Sequence, residues 1–204
     1  MSAPLVRHLG LAGYAATYEA MRGFTAERGT TTADELWVLE HPPVYTAGIA
    51  ARSEHFPRTS SIPLVRTDRG GQITYHGPGQ AIVYTLVDLE RRRLTVRGMV
   101  ALIEQAVIDT LGARGVRAER KPGAPGIYVA GAKIAALGLR VRRGCCYHGV
   151  ALNVDLDLAP FSDIDPCGYP GLAVTRTSDR GITAGTQELG LALARGIARL
   201  LESR

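Results

Sequence analysis

The stretch Ile127-Tyr128-Val129-Ala130-Gly131-Ala132-Lys133-Ile134-Ala135-Ala136-Leu137-Gly138-Leu139-Arg140-Val141 decides how this chain folds. Two apolar runs, Ile127 to Val129 and Lys133 to Val141, flank the short glycine-containing spacer Ala130-Gly131-Ala132. That pattern predicts a β-hairpin. Strand signals continue on both sides of it: Tyr147 to Val154 downstream, and Glu35 to Glu40, Leu64 to Thr67 and Gln80 to Leu89 upstream. His41-Pro42-Pro43 stops the first of these, because proline donates nothing to a ladder and restricts the residue before it.

Helical periodicity flanks this strand-rich middle. Leu11 to Arg28 carries Leu11, Tyr14, Ala15, Tyr18 and Met21 at helical spacing. Thr95 is placed to cap a helix reaching Ala113, whose apolar face is Val96, Met99, Val100, Ile103, Val107 and Leu111. Thr183 or Thr186 is expected to cap a C-terminal helix with Leu189, Leu193, Ile197 and Leu200 turned inward. Strands covered by helices predict an α/β (α+β) architecture, a mixed sheet flanked by helices. At 204 residues, without repeats or linkers, residues 1–204 are expected to form one domain.

The chain is 46% hydrophobic and 21% charged, as a core-forming protein should be. Its net charge of +5 is too mild for a dedicated nucleic-acid binder and suits an acidic partner or anionic substrate. Three cysteines, Cys145 and Cys146 adjacent, make no disulfide framework, which points to a reducing compartment. The N-terminal residues lack a signal-peptide core, and no apolar run approaches the roughly 20 residues that span a bilayer. A soluble, cytoplasmic protein is expected.

Among 24 basic residues only Lys121 and Lys133 are lysine. The distinction matters because arginine does not release its proton, whereas a desolvated lysine can. Lys133 lies in an apolar run, where desolvation lowers a lysine's pKa, and an ammonium beside a cysteine favours the thiolate. Cys167, in Asp165-Pro166-Cys167-Gly168-Tyr169-Pro170-Gly171, has the setting of a side chain displayed on a tight turn. Thiolate and amine together form a reasonable engine for acyl transfer. Against this, a lone cysteine is more often a small buried hydrophobe and a lone lysine a solvated charge.

Arg69-Gly70-Gly71-Gln72-Ile73-Thr74-Tyr75-His76-Gly77-Pro78-Gly79-Gln80 is rich in glycine and polar side chains, so it is either a turn region or one wall of a ligand site. It is no Walker loop, and Ile82 breaks the dinucleotide fingerprint. Cys145, Cys146 and His148 are a weak metal set, since adjacent cysteines do not converge on one ion. His148 reads first as a hydrogen-bonded structural histidine, and Arg140, Arg142 and Arg143 as a solvated face.

Taken together, His41 to Gly48, Arg69 to Gln80, Gly126 to Val129, Lys133 to Arg143, Arg143 to Asn153 and Pro166-Cys167-Gly168 resemble the octanoyltransferases of lipoate biosynthesis. The likeness runs from Leu36 to Ala173. Tyr45 stands for a common phenylalanine, and Pro170 leaves the shape of the turn after Cys167 open. The resemblance implies the catalytic-domain fold of biotin and lipoate protein ligases, with a largely antiparallel sheet. It implies transfer of an octanoyl group from acyl carrier protein to a lysine of lipoyl domains, those of 2-oxoacid dehydrogenase complexes and the glycine cleavage H protein. It assigns the nucleophile to Cys167 and the acid/base to Lys133. It also assigns substrate binding to Arg69, Gly70, Gly71, Gln72, Ile73, Thr74, Tyr75 and His76, to Ala136, Leu137 and Gly138, and to Gly149, Val150 and Ala151. No ATP, metal, nucleic acid or membrane is implied, and a monomer is expected. The rival readings are an ATP-dependent ligase on the same scaffold, a non-catalytic carrier-binding scaffold, and a cysteine hydrolase.

Overall fold

The hairpin read from the sequence lies toward one edge of a large sheet. The computed structural model describes residues 2–57, 60–165 and 171–203. Strands β8 (Ala124–Val129) and β9 (Ala132–Arg142) are joined by Ala130 and Gly131, both at positive φ (48° and 81°). The turn is thus a two-residue loop with Ala132 already in the strand, a geometry whose twist matches that of the flanking strands. Arg143 and Gly144 repeat the device (φ 49° and 73°) between β9 and β10 (Cys145–Asn153).

The large sheet has seven strands in the order β1-β2-β6-β10-β9-β8-β7. It adds β1 (Leu5–Leu11), β2 (Glu35–Glu40), β6 (Gln80–Asp88) and β7 (Glu119–Lys121) to the hairpin strands. Only the β1–β2 pair is parallel. A second, three-stranded sheet in the order β4-β3-β5 is made of β3 (Val44–Ala47), β4 (Leu64–Arg66) and β5 (Ile73–His76).

Helices α2 (Val96–Gly112) and α3 (Thr186–Glu202) cover one face of the large sheet. Val83, Val87, Val150 and Leu152 on that face pack with Met99, Ile103, Val107, Leu189, Leu193 and Ile197. Alternation sends Ile82, Tyr84, Leu86, Tyr147 and Ala151 to the opposite face, where Met21 of α1 (Tyr14–Glu27) meets them. The small sheet has its own core of Tyr45, Ile73, Tyr75, Leu156, Phe161 and Ile164.

Thr95 caps α2 as expected, its Oγ1 accepting from the Gly98 N–H at 3.0 Å. The cap of α3 is Gly185, not Thr183 or Thr186, and no side chain bonds there; Leu201 rather than Leu200 is fully buried. The first helix starts at Tyr14 because residues 5–11 pair with β2 instead. A third of the glycine-rich segment is itself a strand, β5. Among the described residues no helix is long and apolar enough to cross a membrane.

Candidate active site

A pocket opens between the small sheet and the β6–β10–β9 part of the large one, enclosing about 530 Å³ with its open mouth included. Arg69, Gly71, Gln72, Ile73, Thr74 and His76 form one wall. Ala136, Leu137 and Gly138 of β9, and Gly149, Val150 and Ala151 of β10, form the other. Of the residues expected to bind substrate, only Gly70 and Tyr75 stand back from it. The Gly70 N–H instead donates to the Leu139 carbonyl at 2.9 Å, joining the glycine-rich segment to β9. Tyr75 is packed in the small-sheet core.

Close backbone approach makes the slot possible. A Cβ on Gly138 would lie 2.8 Å from the Gly70 carbonyl, and one on Gly149 would lie 2.0 Å from that of Val83. Either site therefore excludes a side chain without movement of main chain.

The pocket also takes in Tyr14, Ile82, Tyr84 and His148, which the sequence did not single out as ligand contacts. Ile82 and Tyr84 could have been found from the period-two alternation of β6. The role of His148 could not, because its φ of 63° breaks the strand's alternation. Tyr147 and His148 consequently share one face, stacked with ring centroids 5.0 Å apart. Both reach Asp68: the Tyr147 hydroxyl donates to one carboxylate oxygen and His148 Nε2 donates to the other at 3.0 Å. Asp68 lies below the ordinary carboxylate range; burial opposes this, but hydrogen bonds from Tyr147, His148 and Tyr18 outweigh it.

The histidines here are held neutral. Burial pushes His148 down to about 4 against the pull of Asp68, and His76 down to about 3 with help from nearby His41. A neutral His76 fits one directed chain of hydrogen bonds. Arg69 Nη2 donates to Thr46 Oγ1 (3.0 Å), and that hydroxyl donates to His76 Nε2 (3.3 Å). His76 Nδ1 donates to Gln80 Oε1 (2.7 Å), and Gln80 Nε2 to Asn153 Oδ1 (2.9 Å). Asn153 Nδ2 then donates to the Thr175 carbonyl at 3.0 Å. The Thr175 N–H donates to the Lys133 carbonyl at 2.9 Å, and the Lys133 N–H to the Ala173 carbonyl at 2.8 Å. The pocket wall and the backbone of Lys133 thus belong to one network.

Lys133 is only 4% exposed. Its Nζ donates to the Pro125 carbonyl at 3.0 Å and lies 5.3 Å from the centre of the Tyr128 ring. Gly126 makes room for it: at φ 126°, a Cβ there would lie 3.1 Å from Lys133 Cε. Lys121, by contrast, is exposed on β7. Cys167, with Pro166 and Gly168, lies outside the described residues.

Cys145 and Cys146 are both buried. Burial pushes the Cys145 thiol up and that of Cys146 to about 12, so both remain protonated and poorly nucleophilic at neutral pH. As strand neighbours they point to opposite faces. Among the described residues no group of three or more His, Cys, Asp or Glu is arranged to hold a metal. Arg140, Arg142 and Arg143 are exposed and form no ion pair among the described residues.

Residues 14–183 match the family model of the lipoyl protein ligase A/B catalytic domain. Among solved structures, lipoate-protein ligase A bound with ATP superposes with a TM-score of 0.81 at 18% identity, covering 98% of this chain and 86% of that one. Biotin protein ligase from Aquifex aeolicus in complex with biotin and ATP gives a TM-score of 0.61 at 12% identity over 98% of this chain and 71% of that one. At such identities these likenesses speak for the fold alone, that of the lipoate and biotin ligase catalytic domains. An octanoyltransferase of Azoarcus sp. (strain BH72) is 61% identical over 97% of this chain and 87% of its own length. One from Dechloromonas aromatica (strain RCB) is 54% identical over 98% of both chains. The chain belongs to the octanoyltransferases and is a transferase on the lipoyl ligase catalytic fold.

Proposed function

We propose that this enzyme moves an octanoyl group from the phosphopantetheine thioester of acyl carrier protein to the ε-amine of a lipoyl-domain lysine. Cys167 carries the acyl group and Lys133 is the acid and base, with no need of ATP or metal. The observation that carries this reading is Lys133 itself, buried, held at Nζ, and bonded through its backbone to residues 173 and 175. Cys167 precedes Ala173 by six residues, a tether that spans at most about 20 Å.

In the first half-reaction the Cys167 thiolate attacks the donor carbonyl. The tetrahedral intermediate expels the phosphopantetheine thiolate, which takes a proton from the Lys133 ammonium. In the second, the target amine attacks the acyl-cysteine thioester, Lys133 takes the amine proton, and Cys167 leaves as thiolate. One thioester replaces another before the amide forms, so the donor is already activated. The apolar lining of the slot by Ile73, Ile82, Ala136, Leu137, Val150 and Ala151 supports an acyl tail. Burying the six methylenes of an octanoyl tail at ~0.8 kcal/mol per CH₂ gives roughly 5 kcal/mol of binding. Arg140, Arg142 and Arg143, exposed and in no ion pair among the described residues, offer an acidic carrier a docking face. Lipoyl domains of 2-oxoacid dehydrogenases and the glycine cleavage H protein are the proposed acceptors of a monomeric, cytoplasmic enzyme.

Intact-mass spectrometry tests the reading. Octanoyl carrier protein, without ATP, should add one octanoyl mass to the wild type and none to Cys167→Ala. A normal adduct on Cys167→Ala rejects the nucleophile. Pyrophosphate release dependent on ATP and a free acid would reassign the enzyme to the ligases.

A further inference from the structure

One buried acid outside the pocket bears on Lys133. Glu104 is 8% exposed on α2, a position where a carboxylate is costly unless paired. Its Oε2 accepts from Arg120 Nε of β7 at 3.0 Å. Its Oε1 accepts from the Gly126 N–H at 3.3 Å. That N–H belongs to the peptide whose carbonyl, on Pro125, accepts from Lys133 Nζ at 3.0 Å. A single peptide unit therefore links the carboxylate to the ammonium, donating at one end and accepting at the other. A peptide that donates to an anion becomes a stronger acceptor at its oxygen, because such bonds polarise one another.

We infer that Glu104 is a positioning residue for acyl transfer: through the Pro125–Gly126 peptide it fixes the Lys133 ammonium and sets the proton affinity of the Lys133–Cys167 pair. The inference rests on the proposed Cys167–Lys133 mechanism. The peptide is closely packed against β9. Gly126 sits at φ 126°, and a Cβ there would lie 2.7 Å from the Ala135 carbonyl. Among the described residues, the charged or titratable groups on the elements against Lys133 include Tyr128 of β8, Glu119, Arg120 and Lys121 of β7, and Arg180, which donates to Thr175 Oγ1. Three of these are cationic and Glu119 is exposed, so Glu104 is the buried carboxylate set against them.

The test follows from the sign of the charge. Removing an anion lowers the proton affinity of every nearby group, and removing a cation raises it. The readout is the pH dependence of alkylation at Cys167, resolved by mass, in the full chain. Glu104→Gln keeps the side chain's size and acceptor oxygen, and should move the midpoint to lower pH by roughly half a unit. Arg120→Gln leaves Glu104 in place and should move it to higher pH by less. A purely structural role would slow acylation without moving the midpoint in opposite directions. Midpoints unmoved, or moved the same way, overturn the inference. Should Glu104→Gln fail to fold, an unmoved midpoint in Arg120→Gln overturns it alone. Single-turnover acylation of Lys133→Arg keeps the two proposals apart. Near-wild-type turnover there removes the mechanism, and this inference with it. An inactive Lys133→Arg with unmoved midpoints removes the Glu104 role only.

Discussion

Two buried polar clusters of this molecule handle charge in opposite ways. Around the pocket, His76, His148, Tyr14 and Tyr84 are all kept neutral, chiefly by burial, which pushes the histidines down and the tyrosines up. At the far end of β6, Asp34 is fully buried and charged, bound by three guanidinium groups: Arg28 at 2.6 Å, Arg91 at 2.7 Å and Arg92 at 2.7 Å. Its carboxyl lies below the usual range. Burial opposes this and is overcome by hydrogen bonds from the Asp88 N–H, Arg92 and Arg28. Arg92 also donates to the carbonyls of Ser2 and Leu201, so the cluster ties both chain ends to the sheet. Charge is concentrated where the fold is fastened, while the wall proposed to receive an apolar chain keeps its histidines and tyrosines neutral beside the single guanidinium of Arg69.

The strongest way to separate the clusters is to cut each once. Lys133→Arg keeps the charge but cannot pass protons, so acyl transfer should fall by about 10²–10⁴-fold with little change in Tm. Lys121→Arg, on the exposed edge strand, is its control and should be close to silent. Asp34→Ala should do the reverse. Removing the shared partner of the buried Arg28 and Arg92 and the partly exposed Arg91 should cost about 3–5 kcal/mol of stability, read from denaturant melts. The specific activity of the protein still folded should change little. A large kcat effect in Asp34→Ala would mean that the two regions are coupled.

Finer cuts sharpen the picture of the pocket. Gly138→Ala pushes a Cβ toward the Gly70 carbonyl and Arg69 Cδ (2.8 and 3.4 Å), narrowing the slot. The KM for an octanoyl donor should rise roughly tenfold, and that for a butanoyl donor less, since fewer buried CH₂ groups are at stake.

The neutral histidines give stability a signature in pH. Their folded-state values, about 3 for His76 and about 4 for His148, lie below the unfolded value. The unfolded chain therefore binds more protons, and stability is full above roughly pH 6.5 and lost as pH falls toward 4. His76→Gln should flatten that slope, by on the order of 3 kcal/mol across the window. An unchanged slope would show that His76 is not held neutral.

The smallest effect expected is at the arginine face. Charge reversal at Arg142 should raise KM for octanoyl carrier protein a few-fold at low salt, leave kcat unchanged, and spare an octanoyl-pantetheine donor. Equal losses with both donors would reject docking.

Periodicity and turn chemistry made much of this legible in advance. The Ile127–Val141 hairpin, the Thr95 cap and the inward face of the last helix followed from apolar spacing, and the ordered motifs from His41 to Asn153 pointed to the family. Strand β1 was missed because Leu5 to Leu11 is mostly exposed and carries no alternation. The cap of α3 was missed because glycine caps without a side chain.

What the sequence by itself determined is the supply of chemistry: two lysines among 24 basic residues, three cysteines, and glycines where walls approach closely. Only the tertiary structure decided which of these groups meet. The left-handed turn at His148 brings consecutive side chains onto Asp68, and Glu104 of α2 reaches Lys133 of β9 through a peptide of β8. Such contacts join residues far apart in the chain, and no local period encodes them. They exist because burial leaves each polar group to find its partner inside the fold.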